Sequence, residues 1–200
     1  AAIIYGLSQD VSREELQQAI QLGRLSHYLH KIKIKRGDHV CVPAGTVHAI
    51  LAGAVIAEIQ QNSNVTYRVF DWNRVGDDGE PRELHIEKAL DVINFSQVGY
   101  GLTKPEVIED NDRFIRQRLC RNQYFTTEQI KIQPGESFQA ACDGSTLEIW
   151  GVIEGQVEVA MQPLSAVQFV LLPARLGAFR VYAPAEATLL RTFAEGNALS

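Results

Sequence analysis

Two hundred residues, 46% of them hydrophobic, can bury a substantial core as one large domain or two small ones, which excludes a disordered chain as the starting expectation. The net charge is -5, and nineteen Lys and Arg residues are spread along the chain without a basic block. That removes the compositional case for a nucleic-acid or anionic-membrane surface and favours a small soluble ligand. The cysteines, Cys41, Cys120 and Cys142, lie in no paired spacing, so a reducing cytoplasm is the simplest setting. No apolar run is long enough for a membrane span, and no signal peptide is visible. The opening Ala1-Ala2-Ile3-Ile4-Tyr5 already reads as an element of a folded domain, as if cut from a longer chain.

Helical spacing is clearest near the start. Ser12 and Glu15 have capping-box spacing, Leu16, Ala19 and Ile20 form an apolar stripe, and Gly23 can stop the helix, which predicts a helix over residues 12–22. Residues 30–35 then alternate polar with apolar, the period of a strand with one wet face, and Arg36-Gly37-Asp38 supplies a turn. Short strands are predicted at residues 40–43, 48–51, 54–61 and 65–70, separated by Ala44-Gly45, Ala52-Gly53 and Asn62-Ser63-Asn64. A second helical stripe, Ile86, Leu90 and Ile93, lies within residues 82–93.

Residues 96–112 read as a connector, which divides the chain into residues 1–95 and 113–200. The second half is nearly all strand, with runs at 125–132, 147–153, 156–160, 167–172, 179–182 and 187–193 broken by Pro134-Gly135, Asp143-Gly144 and Glu154-Gly155. Many short strands at regular intervals imply a sandwich, barrel or jelly roll. A faint repeat links the halves, since Val42-Pro43-Ala44 matches Leu172-Pro173-Ala174. Five residues after the proline, the first copy has His48 and the second Ala178. The second half is therefore expected to bind no metal.

From Gly37 to His48 the order is G, five residues, P, one residue, G, two residues, H, the second motif of the cupin superfamily. Pro43 stops strand pairing, Gly45 allows a tight turn, and His48 starts the next strand pointing into a jelly-roll barrel, where an imidazole can bind a divalent metal. The Asn usual four residues after that His is Ala52 here. One imidazole does not hold zinc, which takes three protein ligands and an open position at a catalytic site. The first cupin motif is absent, so its ligands are expected upstream of residue 1. His27, His30 and His39 read as solvated or capping groups at turns.

Residues 54–74, AVIAEIQQNSNVTYRVFDWNR, and 82–90, RELHIEKAL, together with Ile4-Tyr5-Gly6-Leu7, resemble type I mannose-6-phosphate isomerase of the short bacterial kind. The resemblance covers residues 1 to about 95 closely, and the remainder looks like that family's carboxyl-terminal cupin-like domain. It implies a mainly β, cupin jelly-roll fold of two cupin-like halves, the first incomplete, with a few short helices. It also implies a cytoplasmic, Zn2+-dependent enzyme that interconverts mannose 6-phosphate and fructose 6-phosphate through a cis-enediol.

By position, the resemblance makes His48 a zinc ligand, Arg68 the group facing the sugar and stabilising the enediolate, and Glu58 a candidate base. Arg74 then holds the phosphate, or is a surface charge; Glu58 is alternatively a carboxylate paired with Arg68 across adjacent strands. The family's Gln-x-His pair and Gly-Lys-Thr-Glu segment do not occur in this sequence. The expected partner is a small phosphorylated sugar, with the rest of the site on a separate amino-terminal chain or segment. The alternative is a non-catalytic cupin that binds a sugar or regulates by binding it.

Overall fold

The computed structural model describes residues 1–63, 65–72, 74–76 and 79–194. They form two compact units, Ala1–Leu102 and Thr103–Ser200.

The first unit is built around strand β1 (Ala2–Leu7), whose six residues are all buried. It pairs antiparallel with β2 (Leu29–Lys33) on one side and β3 (His48–Ile50) on the other. Between β1 and β2 runs α1 (Arg13–Gln21), nucleated as its sequence requires. The Ser12 hydroxyl accepts from the Glu15 N–H at 3.2 Å, while the Glu15 carboxylate accepts from the Ser12 N–H at 2.8 Å. Those bonds also hold the Glu15 carboxyl below its ordinary pKa. The apolar stripe of α1 puts Leu16 into a core with Leu7, Val11, Leu25 and Leu90. Leu90 comes from α2 (Ile86–Val92), and Arg13 ties the helices together at Asp91 (2.8 Å) and Glu87 (3.4 Å).

Three predicted strands do not form. Residues 40–43, 54–61 and 65–70 belong to no strand. Alternating residues supply the two faces of a strand, but only a partner's N–H and C=O groups make a ladder. Val55, Ile56, Val65, Tyr67 and Phe70 accordingly stay exposed, whereas Val69 packs against the α1–α2 core.

In the second unit a six-stranded antiparallel sheet, ordered β11-β8-β13-β6-β5-β4, accompanies a four-stranded one, ordered β10-β9-β12-β7. The strands are β4 (Glu106–Asp110), β5 (Phe114–Arg121), β6 (Phe125–Ile132), β7 (Ser137–Cys142), β8 (Glu148–Glu154), β9 (Gln156–Val159), β10 (Gln162–Ser165), β11 (Phe169–Leu172), β12 (Gly177–Tyr182) and β13 (Ala187–Ala194). This is a jelly-roll arrangement. Four of them, β4, β5, β7 and β10, lie outside the predicted runs, and β4 falls in the segment expected to be a connector. Ile130, Ile132, Trp150, Val152, Val157, Val159, Phe179, Val181 and Leu189 fill the core between the sheets, and the Trp150 ring meets Phe179 edge-on at 5.6 Å.

The same buried face carries ions. Glu128 and Glu148 are 2% and 4% exposed. Arg116 donates to Glu128 at two points, 2.9 and 3.1 Å. Arg191 bridges both carboxylates, donating Nε to Glu148 at 2.8 Å and Nη1 to Glu128 at 3.2 Å, and Trp150 Nε1 donates to Glu148 at 2.8 Å. Every buried carboxylate therefore has several donors, as charge removed from water requires.

Candidate functional site

The proline bend comes first, because it delivers His48. The Thr46 N–H donates to the Pro43 carbonyl at 3.2 Å, and Gly45 takes φ +82°. A Cβ at Gly45 would lie 2.5 Å from the Val92 carbonyl oxygen, so glycine is required here twice over. In the second unit the Leu176 N–H donates to the Pro173 carbonyl at 3.0 Å, the same proline-plus-three turn. Ala178 follows on β12, opposite Ala141 of β7. The sequence repeat is thus a repeat of backbone geometry, with the imidazole kept in only one copy.

His48 opens β3 opposite Tyr5 of β1 and is exposed. Its Nδ1 lies 2.9 Å from the Thr46 carbonyl oxygen. A carbonyl only accepts, so Nδ1 carries the proton, and the neutral ring presents an Nε2 lone pair. A backbone carbonyl on the far nitrogen is the usual outer support of a metal-binding imidazole. Thr46 is itself pinned: its buried hydroxyl donates to Gln97 Oε1 at 2.7 Å, and the Gln97 carbonyl accepts from the Leu7 N–H at 3.0 Å. Tyr5, across from His48, donates its hydroxyl to the Cys41 carbonyl at 2.8 Å, and burial pushes its pKa up.

Arg68 is half-buried and its backbone is doubly tied. The His85 N–H donates to the Arg68 carbonyl at 2.7 Å, and His85 Nδ1 accepts from the Arg68 N–H at 3.4 Å. His85 stands at the amino end of α2, with the Tyr67 ring at 6.0 Å. Glu58 is exposed, and neither it nor the Arg68 side chain makes a hydrogen bond or ion pair among the described residues. The pairing of Glu58 with Arg68 across adjacent strands does not form, because the strands that would carry it do not.

Arg74 is held by Asp71, which is only 6% exposed. Arg74 Nη2 donates to Asp71 Oδ1 at 2.6 Å, Arg82 Nε donates to Oδ2 at 2.5 Å, and Arg82 Nη2 also reaches Oδ1. The Arg82 bonds first, then Arg74, hold the Asp71 carboxyl at a pKa of about 2 despite its burial. Sequence reasoning passed over Asp71, Arg82, Thr46 and Gln97, and set His85 aside as a helix-packing residue. The signal available for Asp71 and Arg82 was an aspartate followed by two arginines in a turn-rich stretch. Gln97, 51 residues from Thr46, had none. His39 also departs from its expected wet turn: it is half-buried, and burial lowers its pKa.

Among the described residues, no group of three or more His, Cys, Asp or Glu side chains is placed to hold a metal ion. His48 alone does not make a zinc site, and no catalytic step is assigned to zinc on these residues.

No protein-family model matches the chain. It is 36% identical over 174 residues to the probable mannose-6-phosphate isomerase GmuF of Bacillus subtilis, covering 85% of this chain and 54% of that protein. It is 34% identical over 191 residues to mannose-6-phosphate isomerase ManA of the same organism, covering 93% of this chain and 58% of that one. The crystal structure of the mannose 6-phosphate isomerase from Bacillus subtilis superposes with a TM-score of 0.81 at 33% identity, covering 96% of this chain and 60% of that one. The chain belongs to the type I mannose-6-phosphate isomerase family. Its fold is mainly β, and the two-sheet jelly roll built from β4 to β13 is the cupin architecture. The chain spans a little over half the length of these curated relatives. No helix among the described residues is long and apolar enough to cross a membrane.

Proposed function

We propose that the chain is part of an aldose-ketose isomerase interconverting mannose 6-phosphate and fructose 6-phosphate. One observation carries the reading: 85 to 93% of the chain aligns, at 34 to 36% identity, with proteins bearing that name. The reaction moves a proton between neighbouring carbons through a cis-enediol, which calls for a base, a stabiliser of the developing oxyanion and cations for the phosphate. Glu58 is the candidate base. It is exposed in an irregular segment, free to accept a proton. Arg68, whose backbone is fixed by His85, faces the oxyanion with a planar guanidinium. Arg74 takes the phosphate.

A Zn2+ ion, when bound, would polarise the substrate carbonyl and hydroxyl oxygens. His48 supplies one ligand through Nε2, and the reading requires further ligands from outside these 200 residues, on a separate segment or chain. The protein is cytoplasmic in this reading.

The test uses the protein carrying these residues, with His48→Ala beside it. Stoichiometric zinc and isomerase activity, both lost together in the variant, support the proposal. The competing reading is a non-catalytic cupin that binds a sugar. Saccharide binding that ignores chelators, without interconversion, would establish that alternative and refute the isomerase.

A further inference from the structure

The segment around Asp71 has features that a surface loop does not need. Its carboxylate is buried although both of its arginine partners reach solvent, with Arg74 61% and Arg82 38% exposed in their side chains. Trp72 adopts φ +50°, a conformation that is a genuine outlier for a bulky residue. Its ring packs edge-on to Phe70 at 5.2 Å and lies 5.7 Å from the Arg74 guanidinium carbon. Strain of this kind persists where surrounding contacts enforce it, and it collects at binding sites. The carboxylate of the neighbouring Asp71 grips both Arg74 and Arg82.

Both guanidiniums meet on Asp71 Oδ1, through Arg74 Nη2 and Arg82 Nη2, so the two cationic groups are held side by side by one acceptor. Arg82 commits its Nε–Nη2 edge to the carboxylate and Arg74 commits Nη2 and Nε, to the Asp71 side chain and carbonyl respectively. Each keeps its Nη1 donors, which appear in no hydrogen bond to a described residue. Two positive charges and one negative charge leave the cluster at net +1, with spare planar donors on adjacent exposed groups. That combination suits the tetrahedral oxygens of a phosphate monoester, which accept from several N–H groups at once.

We infer that Arg82 joins Arg74 in a two-arginine subsite for a phosphate monoester, and that Asp71 is the positioning residue that sets both guanidiniums. This deepens the isomerase reading by assigning Arg82 and Asp71 to the substrate's phosphate, and it rests on that reading for the identity of the sugar.

A test must separate positioning from mere positive charge. Removing the negative charge of Asp71 while keeping both arginines makes the patch more cationic, so a patch acting by charge alone would bind phosphate about two- to fivefold tighter in Asp71→Asn. A positioned subsite would bind it more weakly, by about fivefold, because the guanidiniums lose their common anchor.

The protein carrying these residues is titrated calorimetrically with inorganic phosphate, mannose 6-phosphate and mannose, as wild type, Arg82→Gln, Arg82→Lys and Asp71→Asn, each checked for cooperative unfolding. Arg82→Gln is expected to raise the Kd of both phosphates about tenfold and leave that of mannose alone. Arg82→Lys keeps the charge, loses the two-edged geometry and is expected to weaken phosphate to a similar degree, which preserves the test if Asp71→Asn fails to fold. Phosphate affinity within twofold of wild type in Arg82→Gln, or tightened in Asp71→Asn, overturns the inference. An isomerase assay keeps the two readings apart. Interconversion with an unchanged KM in Arg82→Gln removes the subsite and leaves the enzyme. Phosphate binding through Arg82 without interconversion leaves the subsite and removes the enzyme.

Discussion

Replacing Arg191 by Met strips the buried face of the second unit of its central cation while keeping an unbranched side chain of similar reach. Glu148 then retains the Trp150 Nε1 donor, and Glu128 retains Arg116. Both carboxylates are buried to within a few per cent of completely, and Arg191 itself is 16% exposed in its side chain, so water cannot replace what is lost. Removing one partner of a buried ion group costs about 3–5 kcal/mol, against a total of about 5–15 kcal/mol for a domain of this size. The midpoint of thermal unfolding should fall by at least about 12 °C.

Emission from Trp150 is the natural readout, because that ring is buried and its indole shares Glu148, whereas Trp72 is already exposed. Adding Glu148→Gln should recover part of the loss. The amide removes the unpaired charge and can still accept from Trp150, so the double variant should be more stable than Arg191→Met alone by about 1–2 kcal/mol. Strictly additive losses, or a single-variant cost below about 1 kcal/mol, would mean that the network contributes nothing beyond filling space.

Arg68→Gln should reduce kcat by about 10²–10³ while the protein unfolds at its usual midpoint, measured by a steady-state isomerase assay; an unchanged kcat removes Arg68 from the oxyanion role. Gly45→Ala and Gly151→Ala should part company in urea denaturation. At Gly45 both the positive φ and the Val92 carbonyl oppose a methyl group, whereas at Gly151 the obstacle is the exposed Phe169 ring, which can turn aside. The first should cost more than about 1 kcal/mol and the second less. The Asp71 carboxyl is depressed from 3.8 to about 2, so the stability it contributes is fully present above pH 4 and is lost as the pH falls through about 2. Carboxyl NMR titration should give that midpoint, and one near 4 would show that the arginine clamp is absent in solution. Ser12→Ala should destabilise the first unit by about 0.5–2 kcal/mol, seen as a loss of helical ellipticity at lower denaturant.

What could be read from the sequence follows the range of the forces involved. The α1 helix was legible because its cap, stripe and stop lie within a dozen residues. The long inner strands of the second unit, β6, β8 and β13, were legible because residues that favour strands, such as Ile130, Ile132, Val152 and Leu189, lie between turn pairs such as Pro134-Gly135 and Glu154-Gly155. β5 was missed because its inward positions Arg116 and Arg118 are charged, their burial explained only by carboxylates on other strands. β7 and β10 carry Gln, Ser and Pro at edge positions, where pairing rather than pattern makes the strand. In the first unit the pattern predicted too much, since residues 54–61 and 65–70 read as short runs between turn residues and pair with no strand among the described residues. At the site, the proline bend and His48 were local and visible, while the anchor of Thr46 comes from residue 97 and the second arginine on Asp71 from residue 82, where spacing carries no information.

β3 is three residues long and sits at the margin of its sheet, with His48 and Ile50 exposed. Its outward-facing peptide groups form no ladder with a strand among the described residues, and a strand so short has little cohesion of its own. Any polypeptide that aligned there would gain main-chain bonds and in the same movement bring its own side chains up to the imidazole. Docking a strand and closing a coordination sphere would then be one thermodynamic event, so metal affinity and assembly would rise and fall together.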